Sequence, residues 1–392
     1  MTRPRITMTS AAIKRVRNHD GWVFRDEILR ADASLPAGEL VDVTDHQERF
    51  VACAFYNAHS HIPLRIISLD ADEASDPTWL PHRIAQAIAQ RARLTHTNAK
   101  RLIFSEADRL PGLIVDQYAD YLVVQFRSAG MDRLREMVVE SLQNLLHPQG
   151  ILERSDKEFR EEEGLPASTR VLSGDVPQRI LIEEGSLRFL VDPHRGLKTG
   201  FYLDQRPTRT RLLALVEPDQ QVLDTFSYTG SLGISAAKRG ARVVCVEQQE
   251  SFIELAKENA QLNGVANRIE WIAGDAFYWL TAQAESKTNF HWVVLDPPAL
   301  AKQKQQMVKG RQALHHLVVH ALRLLPPDGS LLLSVCTYHL LNAVEEIVRI
   351  ASADVGCRLS IRDQWLQADD HPWILHVPAT RYLTSWRFST SA

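Results

Sequence analysis

Over the first part of the chain, up to about Leu69, apolar and polar residues alternate in short runs. The runs read GWVFRDEIL, GELVDVTD, RFVACAFYN and IPLRIISL, and turn-forming residues separate them. Alternation with a period of two places one set of side chains on one face of an extended strand. The pattern therefore predicts a small barrel-like β module in residues 1–74.

The next stretch, residues 75–190, mixes helical and strand-like patterns. Apolar residues recur at helical spacing in PHRIAQAIAQRARL and in MDRLREMVVESLQNLL. Between these two helices, LPGLIVDQYADYLVVQF predicts a hairpin that turns near QYAD, and ILERS and RILIEEGSLRFLVD predict further strands. We expect a central module of the α+β class.

From about Val222 onward, strand-like and helical segments alternate regularly. Strands such as VVCVE and WVVLD are continuous apolar runs, as expected when helices cover both faces of a parallel sheet. Residues 191–392 are therefore predicted to hold a doubly wound, Rossmann-like α/β domain. The predicted fold class is α/β, with the barrel-like and α+β modules preceding this domain.

The composition is that of a globular chain, since 45% of the 392 residues are hydrophobic and 24% are charged. No apolar run approaches the roughly 18 residues of a membrane span, and the first residues lack the apolar core of a secretory signal. We therefore expect a cytoplasmic protein. The four cysteines show no CxxC or Cys/His ligand spacing, which predicts neither a disulfide framework nor a metal site.

The charged residues give a local rather than a global indication of partners. The formal net charge of −3 does not by itself favour nucleic-acid binding. Five basic residues and no acidic one lie between Thr2 and Arg17, and the same holds between Pro297 and Pro327. Each group is either a phosphate-facing patch or an ordinary solvated surface.

A candidate cofactor site follows the first three strands of the predicted α/β domain. The first strand ends at Asp224 and turns through Gly230 into a helix, and the second ends at Glu247, from which a carboxylate can bond the hydroxyls of a ribose. Asp275 follows the third strand, where it can meet an adenine amino group. The dinucleotide motif GxGxxG has Tyr228 in place of its first glycine here, which favours S-adenosylmethionine over NAD.

Two chemically active residues follow the next two strands, Asp296 in VVLDPPALAK and Cys336 in LLLSVCTYH. Strand ends of such a sheet face the ligand crevice. Asp296 alone would suit methylation of a base amino group, whereas a thiolate adding to C6 of cytosine makes C5 nucleophilic. The alternative is that Cys336 is inert packing, as we expect for Cys53 and Cys245, which lie within strands.

At this point the chain resembles a family of bacterial 5-methylcytosine methyltransferases of large-subunit ribosomal RNA, the large-subunit methyltransferase I type. The resemblance spans nearly the whole chain. It rests on HDGWVFRDEI, LVDVTDHQERFVACAFYN, EADRLPGLIVDQYAD, ERSDKEFREEEGL, GLKTGFYLDQRPTR, CTYH and DHPWILHVPATRYL. It implies an N-terminal RNA-binding PUA module, S-adenosylmethionine as cofactor, Cys336 as nucleophile and Asp296 as the acid that binds the base.

The resemblance also implies wider sets of site residues. Expected cofactor contacts are Asp224, Phe226, Tyr228, Gly230, Glu247, Asp275, Asp296, Tyr202 and Gln205. Candidate substrate or RNA contacts are Lys198, Thr199, Phe201, Asp204 and Arg206 from the resemblance, together with Arg15, Arg17 and Lys302 from the two basic groups. The chain departs from the family pattern where Val335 and Thr337 flank the cysteine in place of two serines, and where Ala299 follows Asp-Pro-Pro. These departures leave open which nucleotide is the target.

Several alternatives remain at this stage. A guanine-N methyltransferase would also carry the Asp-Pro-Pro turn, and a non-catalytic RNA-binding assembly factor could keep the cofactor fold without the chemistry. An NAD-dependent dehydrogenase is least favoured because the first glycine is missing. The expected partner is 23S ribosomal RNA, either naked or in an assembly intermediate, and a homodimer is one possible oligomeric state.

Overall fold

The computed structural model describes residues 3–32, 34–284, 289–301 and 303–391. The chain divides into two compact units, and neither is continuous in sequence. The first contains Met1–Ile182, Val191–Leu203 and Asp370–Thr380, and the second contains Glu183–Leu190, Asp204–Asp369 and Arg381–Ala392. Among the helices of the described residues, none is long and apolar enough to cross a membrane.

The first unit begins with a six-stranded sheet that matches the predicted alternating runs. Its elements are β1 (Arg5–Met8), α1 (Ser10–Arg17), β2 (Trp22–Val23), β3 (Ile28–Arg30), β4 (Glu39–Thr44), β5 (Phe50–Tyr56) and β6 (Leu64–Ser68). The strand order is β2-β6-β5-β4-β1-β3, in which only β1 and β4 pair in parallel. Thr9 caps α1 by accepting a hydrogen bond from the Ala12 N–H at 3.3 Å.

A five-stranded sheet follows within the same unit. Its elements are α2 (Trp79–Gln90), β7 (Ala99–Phe104), β8 (Leu113–Tyr118), β9 (Tyr121–Phe126), α3 (Ala129–Arg133), α4 (Arg135–Leu146), β10 (Gly150–Ser155), α5 (Lys157–Glu161) and β11 (Ser168–Gly174). The strand order is β11-β10-β9-β8-β7, and the predicted hairpin is confirmed as β8 and β9. A separate strand pair consists of β12 (Ile180–Glu184) and β13 (Leu187–Val191).

A buried ion pair anchors the Asp370–Thr380 segment in the first unit. The guanidinium of Arg91 contacts both carboxylate oxygens of Asp108 at 2.6 and 2.7 Å, and the two side chains are 2% and 0% exposed. Arg91 also donates to the backbone carbonyl of Asp370 at 3.2 Å, and the Asp370 carboxylate accepts from the Arg101 N–H at 3.0 Å. The pair therefore joins stretches of chain that are far apart in sequence.

Replacing Arg91 by leucine should destabilise the first unit strongly. Asp108 would keep a buried charge without its cation, which typically costs about 3–5 kcal/mol. The matched control is Arg133→Leu, because Arg133 pairs with Glu39 at 2.9 Å but is 47% exposed, and such pairs contribute at most about 1 kcal/mol. Urea unfolding measures both losses, and equal losses would contradict the importance of the buried pair.

The second unit is built on a seven-stranded sheet. Its helices are α6 (Arg206–Leu215), α7 (Ser231–Lys238), α8 (Glu250–Leu262), α9 (Ala276–Gln283), α10 (Met307–Arg323), α11 (Tyr338–Leu341) and α12 (Val344–Val355). Its strands are β14 (Gln221–Thr225), β15 (Arg242–Glu247), β16 (Ile269–Ala273), β17 (Trp292–Leu295), β18 (Ser330–Val335), β19 (Arg358–Leu366) and β20 (Thr384–Ser391).

The order of this sheet is β16-β15-β14-β17-β18-β20-β19. The first five strands are parallel, as the strand–helix alternation predicts. The structure adds β20 and β19, which are antiparallel to their neighbours and were not expected in a purely parallel sheet. The change of strand order at β14 and β17 creates a crevice at the carboxyl ends of the strands, where ligands bind in folds of this class.

Candidate active site

The turn after β14 adopts a backbone conformation that side chains rarely allow. Phe226 and Tyr228 have φ values of 59° and 50°, and Gly230 has 78°. For a bulky aromatic residue a positive φ is strained, and such strain persists only where the surrounding structure holds it. Here the Tyr228 N–H donates to Glu247 Oε2 at 2.9 Å, and the Tyr228 ring packs edge-on against Phe252. The turn is therefore fixed by its contacts with the second strand and its following helix.

Asp224 lies beneath this turn and is 1% exposed. Its Oδ2 accepts a hydrogen bond from the Gly233 N–H at 2.8 Å, and a Cβ at Gly233 would lie 2.5 Å from the Cys245 sulfur. Oδ1 of Asp224 is buried and has no hydrogen-bond partner. Burial raises the pKa of Asp224 to about 7, and the nearby charge of Glu247 adds to the increase.

Glu247 and Asp275 follow the two strands beside β14. Glu247 Oε1 accepts from the Gln249 N–H at 2.9 Å, so both its oxygens hold the local backbone while each retains a lone pair for a ligand. Asp275 caps α9 by accepting from the Phe277 N–H at 2.7 Å. The Phe277 ring meets Phe226 edge-on at 5.7 Å. The carboxylates thus line the carboxyl edge of β14, β15 and β16, although their cofactor contacts stay predictions.

Asp296 and Cys336 directly follow two neighbouring parallel strands, β17 and β18. The Cys336 sulfur lies 3.9 Å from the carbonyl oxygen of Pro297, the first proline of the Asp-Pro-Pro turn. Cys336 is half-buried, whereas Cys53 and Cys245 are completely buried. Burial raises the pKa of the Cys53 thiol to about 12 and that of Cys245 well above its usual value. Among the four cysteines, Cys336 therefore combines exposure with a position in the crevice.

The pKa of Asp296 is raised to about 8. Burial is the largest cause, and the negative charges of Asp204 and Asp224 add to it. A hydrogen bond from the Gln205 side chain and the charge of Arg209 act in the opposite direction without reversing the result. Asp296 is therefore a neutral carboxylic acid near pH 7, able to donate a hydrogen bond.

The guanidinium of Arg209, whose charge acts on Asp296, is already paired. Arg209 is 0% exposed and binds both oxygens of Glu184 at 2.7 Å, and Arg206 lies 3.4 Å from the same carboxylate. Asp204 accepts a hydrogen bond from the Tyr382 hydroxyl on Oδ2, while its buried Oδ1 has no hydrogen-bond partner. The crevice of the second unit is thus rich in acceptors, with its guanidinium charge balanced by Glu184.

The predicted site residues of the GLKTGFYLDQRPTR stretch fall in different units. Asp204, Gln205 and Arg206 belong to the second unit, and the residues from Lys198 to Tyr202 belong to the first. Within the first unit, the Thr199 hydroxyl donates to Asp116 at 2.6 Å and contacts the Tyr118 hydroxyl at 2.9 Å. Thr199 is buried, as is Phe201, whereas Lys198 is exposed. Their predicted contacts with substrate stay predictions.

The basic residues of α1 are only partly available for a partner. Arg15 pairs with Glu27 at 3.0 Å and with Asp20 at 3.2 Å, and it donates to the Trp22 carbonyl. Arg17 at the end of the helix is exposed. Lys302, another predicted basic contact, lies outside the described residues.

A group of buried polar side chains behind Asp296 was not predicted from the sequence. It consists of Gln205, Thr208, Trp365, Ser385 and Ser334, and we call it the Thr208 network. The Thr208 hydroxyl donates to Gln205 Oε1 at 2.6 Å, Trp365 Nε1 donates to Thr208 at 2.9 Å, and Ser385 contacts Thr208 at 3.3 Å and Ser334 at 2.7 Å. Gln205 directly precedes α6, and the other members come from α6, β18, β19 and β20, so no local sequence pattern could reveal the network.

The described residues contain no group of three or more His, Cys, Asp or Glu side chains able to hold a metal ion. None of the four cysteines is in a disulfide.

Two family models match separate parts of the chain. A PUA-like domain matches residues 6–69, and a family described as conserved hypothetical protein 95 matches residues 204–322. The first match confirms the predicted N-terminal PUA-like module.

Relatives with similar sequences match nearly the whole length of the chain. Proteins named ribosomal RNA large subunit methyltransferase I, from Klebsiella pneumoniae (strain 342) and Enterobacter sp. (strain 638), are 32% identical to this chain over 387 and 386 residues. Each alignment covers 97% of this chain, with 96% of the first relative and 97% of the second.

Solved structures share the fold at low identity. A chain assigned as a methyltransferase and solved in complex with SAH has a TM-score of 0.85 at 18% identity, over 99% of this chain and 100% of its own. A chain from Streptococcus mutans, assigned as a SAM-dependent methyltransferase, has a TM-score of 0.83 at 18% identity, again over 99% and 100%. These likenesses confirm the predicted fold class.

Proposed function

The chain belongs to the ribosomal RNA large subunit methyltransferase I family, and on that basis we propose that it methylates C5 of a cytosine in 23S ribosomal RNA, using S-adenosylmethionine. The methyl acceptor and the covalent mechanism are the finer parts of this proposal. They are supported by the residues at the carboxyl ends of β17 and β18.

The crevice suits a positively charged cofactor. S-adenosylmethionine carries a sulfonium and an ammonium group, and when bound it supplies the methyl group. The buried Oδ1 atoms of Asp224 and Asp204 have no hydrogen-bond partner, and an unpaired buried carboxylate oxygen is costly. A cationic ligand would satisfy them. Glu247 would bind the ribose hydroxyls and Asp275 the adenine amino group, with Phe226 and Tyr228 shaping the turn between them.

The Asp-Pro-Pro turn would hold the target base. Asp296 is protonated near neutral pH because its pKa is raised to about 8. A protonated carboxyl can donate to N3 of cytosine and accept from its amino group. Two consecutive prolines fix the backbone after Asp296, so the carboxyl and the neighbouring carbonyl would meet the base without reorganisation.

Cys336 would act as the nucleophile. Its thiolate would add to C6 of the cytosine, the C5–C6 double bond would open, and C5 would become electron-rich. C5 would then accept the methyl group, whose bond to the sulfonium sulfur breaks with the electron pair left on that sulfur. A base then removes the proton from C5, the electron pair restores the double bond, and the C6–S bond breaks to release the thiolate. Asp296 stabilises the intermediate by its hydrogen bonds to the ring. The protein thus supplies the nucleophile and the acid from adjacent strand ends.

RNA is the partner that this reaction requires. The PUA-like module and the exposed Arg17 of α1 support contacts with phosphates, which position a substrate more than they specify it. A base inside a duplex cannot reach the crevice, so the target nucleotide must leave its stack. We therefore expect naked or partly folded ribosomal RNA to be a better substrate than the mature ribosome.

The observation that carries the proposal is the 3.9 Å contact between the Cys336 sulfur and the Pro297 carbonyl. It can be tested by incubating the protein with S-adenosylmethionine and an RNA that contains 5-fluorocytosine. Fluorine replaces the proton that the base must remove, so the covalent intermediate should accumulate. We expect a denaturation-resistant adduct, mapped by mass spectrometry to Cys336.

The control is the same RNA with unsubstituted cytosine, which should be methylated and released. Methyl transfer to that RNA without any adduct on the fluorinated RNA would contradict the covalent mechanism. A ring nitrogen or amino group would then be the methyl acceptor, as in a guanine-N methyltransferase. Failure to bind S-adenosylmethionine would favour an assembly factor without catalysis.

A further inference from the structure

We infer that the Thr208 network orients the amide of Gln205 and thereby fixes which oxygen of Asp296 carries the proton. Thr208 is a positioning residue in this account, because it acts on the base only through Gln205 and Asp296. The inference rests on the proposed function, since it assigns a specificity device to the same site.

The direction of the hydrogen bonds follows from chemistry at Trp365. An indole N–H can donate but cannot accept, so the Thr208 oxygen must be the acceptor of the 2.9 Å contact from Trp365. The atom 2.6 Å from the Thr208 oxygen is Gln205 Oε1, and because an amide oxygen can only accept, the Thr208 proton is directed to it. Thr208 and Gln205 are 1% and 2% exposed, so water cannot replace either partner.

The orientation of the Gln205 amide determines whether a hydrogen-bond donor or an acceptor faces Asp296. The Gln205 side chain donates a hydrogen bond to Asp296, and because Oε1 is occupied by Thr208, the donor is Nε2. The oxygen of Asp296 that accepts from Nε2 cannot also carry a proton toward it, so the proton lies on the other oxygen. A carboxyl with this polarity fits N3 of cytosine, which accepts a hydrogen bond, and opposes N3–H of uracil, which donates one.

The network also reaches the strand that carries the thiol. Ser385 of β20 contacts Thr208 at 3.3 Å and Ser334 of β18 at 2.7 Å. Ser334 precedes Cys336 by two residues. Because Thr208 donates its proton to Gln205, Ser385 donates to Thr208 and Ser334 donates to Ser385. The strand end before the thiol and the amide that bonds the acid therefore share one buried set of hydrogen bonds.

The charged groups that shift the pKa of Asp296 keep their charges whether or not Thr208 carries a hydroxyl. Those that affect Asp296 are Asp204 before α6, Asp224 at the end of β14 and Arg209 on α6, the last paired with Glu184. Replacing the Thr208 hydroxyl by a methyl group leaves these charges in place. The change therefore acts on Asp296 through the hydrogen bond from Gln205.

The test is the Thr208→Val variant, in which infrared spectroscopy follows the protonation of Asp296 as the pH is changed. The signal of Asp296 is obtained by subtracting, for each protein, the spectra of its Asp296→Asn derivative. A hydrogen bond donated to a carboxylate favours the charged form, so losing its fixed direction should raise the pKa of Asp296 by about 0.5–1 unit. Methyl transfer should fall about tenfold. Thr208→Ser, which keeps the hydroxyl, should restore both properties.

A matched control is Thr390→Val. Thr390 is also a buried threonine of the second unit, and its hydroxyl donates to the Pro326 carbonyl at 2.8 Å, outside the Thr208 network. It should lose stability without moving the titration of Asp296. An unshifted titration in Thr208→Val would overturn the inference. The infrared titration needs no turnover, so it tests the orientation of Gln205 even if cytosine proves not to be the substrate. A wild type that transfers no methyl group would count against the proposed function alone.

Discussion

The Cys336→Ala variant should bind S-adenosylmethionine and RNA but transfer no methyl group to cytosine. Without the thiolate, C5 of cytosine is not activated, and removal of a catalytic nucleophile commonly lowers turnover by at least about 10⁴-fold. The alanine loses only the sulfur, and the carbonyl of Pro297 loses a weak donor. The cofactor affinity measured by calorimetry should therefore stay within about threefold of the wild type, which is a difference of roughly 0.7 kcal/mol in binding free energy.

The appropriate control is Cys357→Ala. Cys357 is also half-buried and lies next to β19, outside the crevice. It should retain the turnover of the wild type, which separates the loss of a thiol from the loss of this thiol. Methylation at cytosine C5 by the Cys336→Ala variant would refute the covalent mechanism, whatever its rate relative to the control.

The Asp296→Asn variant should lose activity while gaining stability above pH 5. Asparagine keeps the shape of the acid, and its amide N–H can still donate to N3, but it has no acidic proton to give to that nitrogen. In the proposed mechanism the base therefore loses the acidic contact that stabilises the charge developing on the ring after addition at C6. Removing one such preorganised contact typically lowers turnover by about 10²–10³-fold. Methyl transfer measured with saturating cofactor and RNA should show this loss in kcat.

The gain in stability follows from the direction of the pKa shift. The folded-state pKa of Asp296 is raised from 3.8 to about 8, so between these values the folded protein holds a proton that the unfolded chain releases. The contribution of Asp296 to the free energy of unfolding is fully present below pH 4 and is lost as the pH rises through 8. The slope is about 1.4 kcal/mol per pH unit at most. Asparagine does not titrate and therefore escapes this loss.

Urea unfolding of wild type and Asp296→Asn at pH 5 and pH 8, without cofactor, measures the effect. The difference between the two proteins should be larger at pH 8, because between pH 5 and pH 8 the unfolded wild type releases a proton that the folded wild type holds on Asp296. Taking the difference between the two proteins cancels the pH dependence of stability that comes from their shared carboxyl groups. These include Asp45 and Glu163, whose pKa values are lowered. A difference that is the same at both pH values would show that Asp296 titrates normally.

Much of the second unit could be predicted because its strands are apolar on both faces. Asp224, Glu247, Asp296 and Cys336 each stand at the end of a continuous apolar run, so the positions of these side chains in the crevice could be inferred from local sequence. The hairpin of β8 and β9 was equally visible, since two alternating runs flank a short turn.

The remaining features depend on contacts between distant residues. β20 was missed because TSWRFSTS lacks a continuous apolar run, yet Thr384 and Ser385 are buried there, and Ser385 bonds the strand beside it. The mixed polar character of KTGFYLDQR indicated ligand contacts, but within the first unit Thr199 bonds Asp116, which lies 83 residues earlier. Polarity in a sequence does not distinguish a side chain that meets a ligand from one that meets a buried partner.

The position of β20 also has a consequence for synthesis of the chain on the ribosome. β20 is the last of the described strands to be translated, but in the sheet it lies between β18 and β19. Until residues 384–391 leave the exit tunnel, β18 presents an open edge and β19 has no neighbour in this sheet. Since Ser385 belongs to β20, the Thr208 network also cannot be complete before β20 has paired with β18.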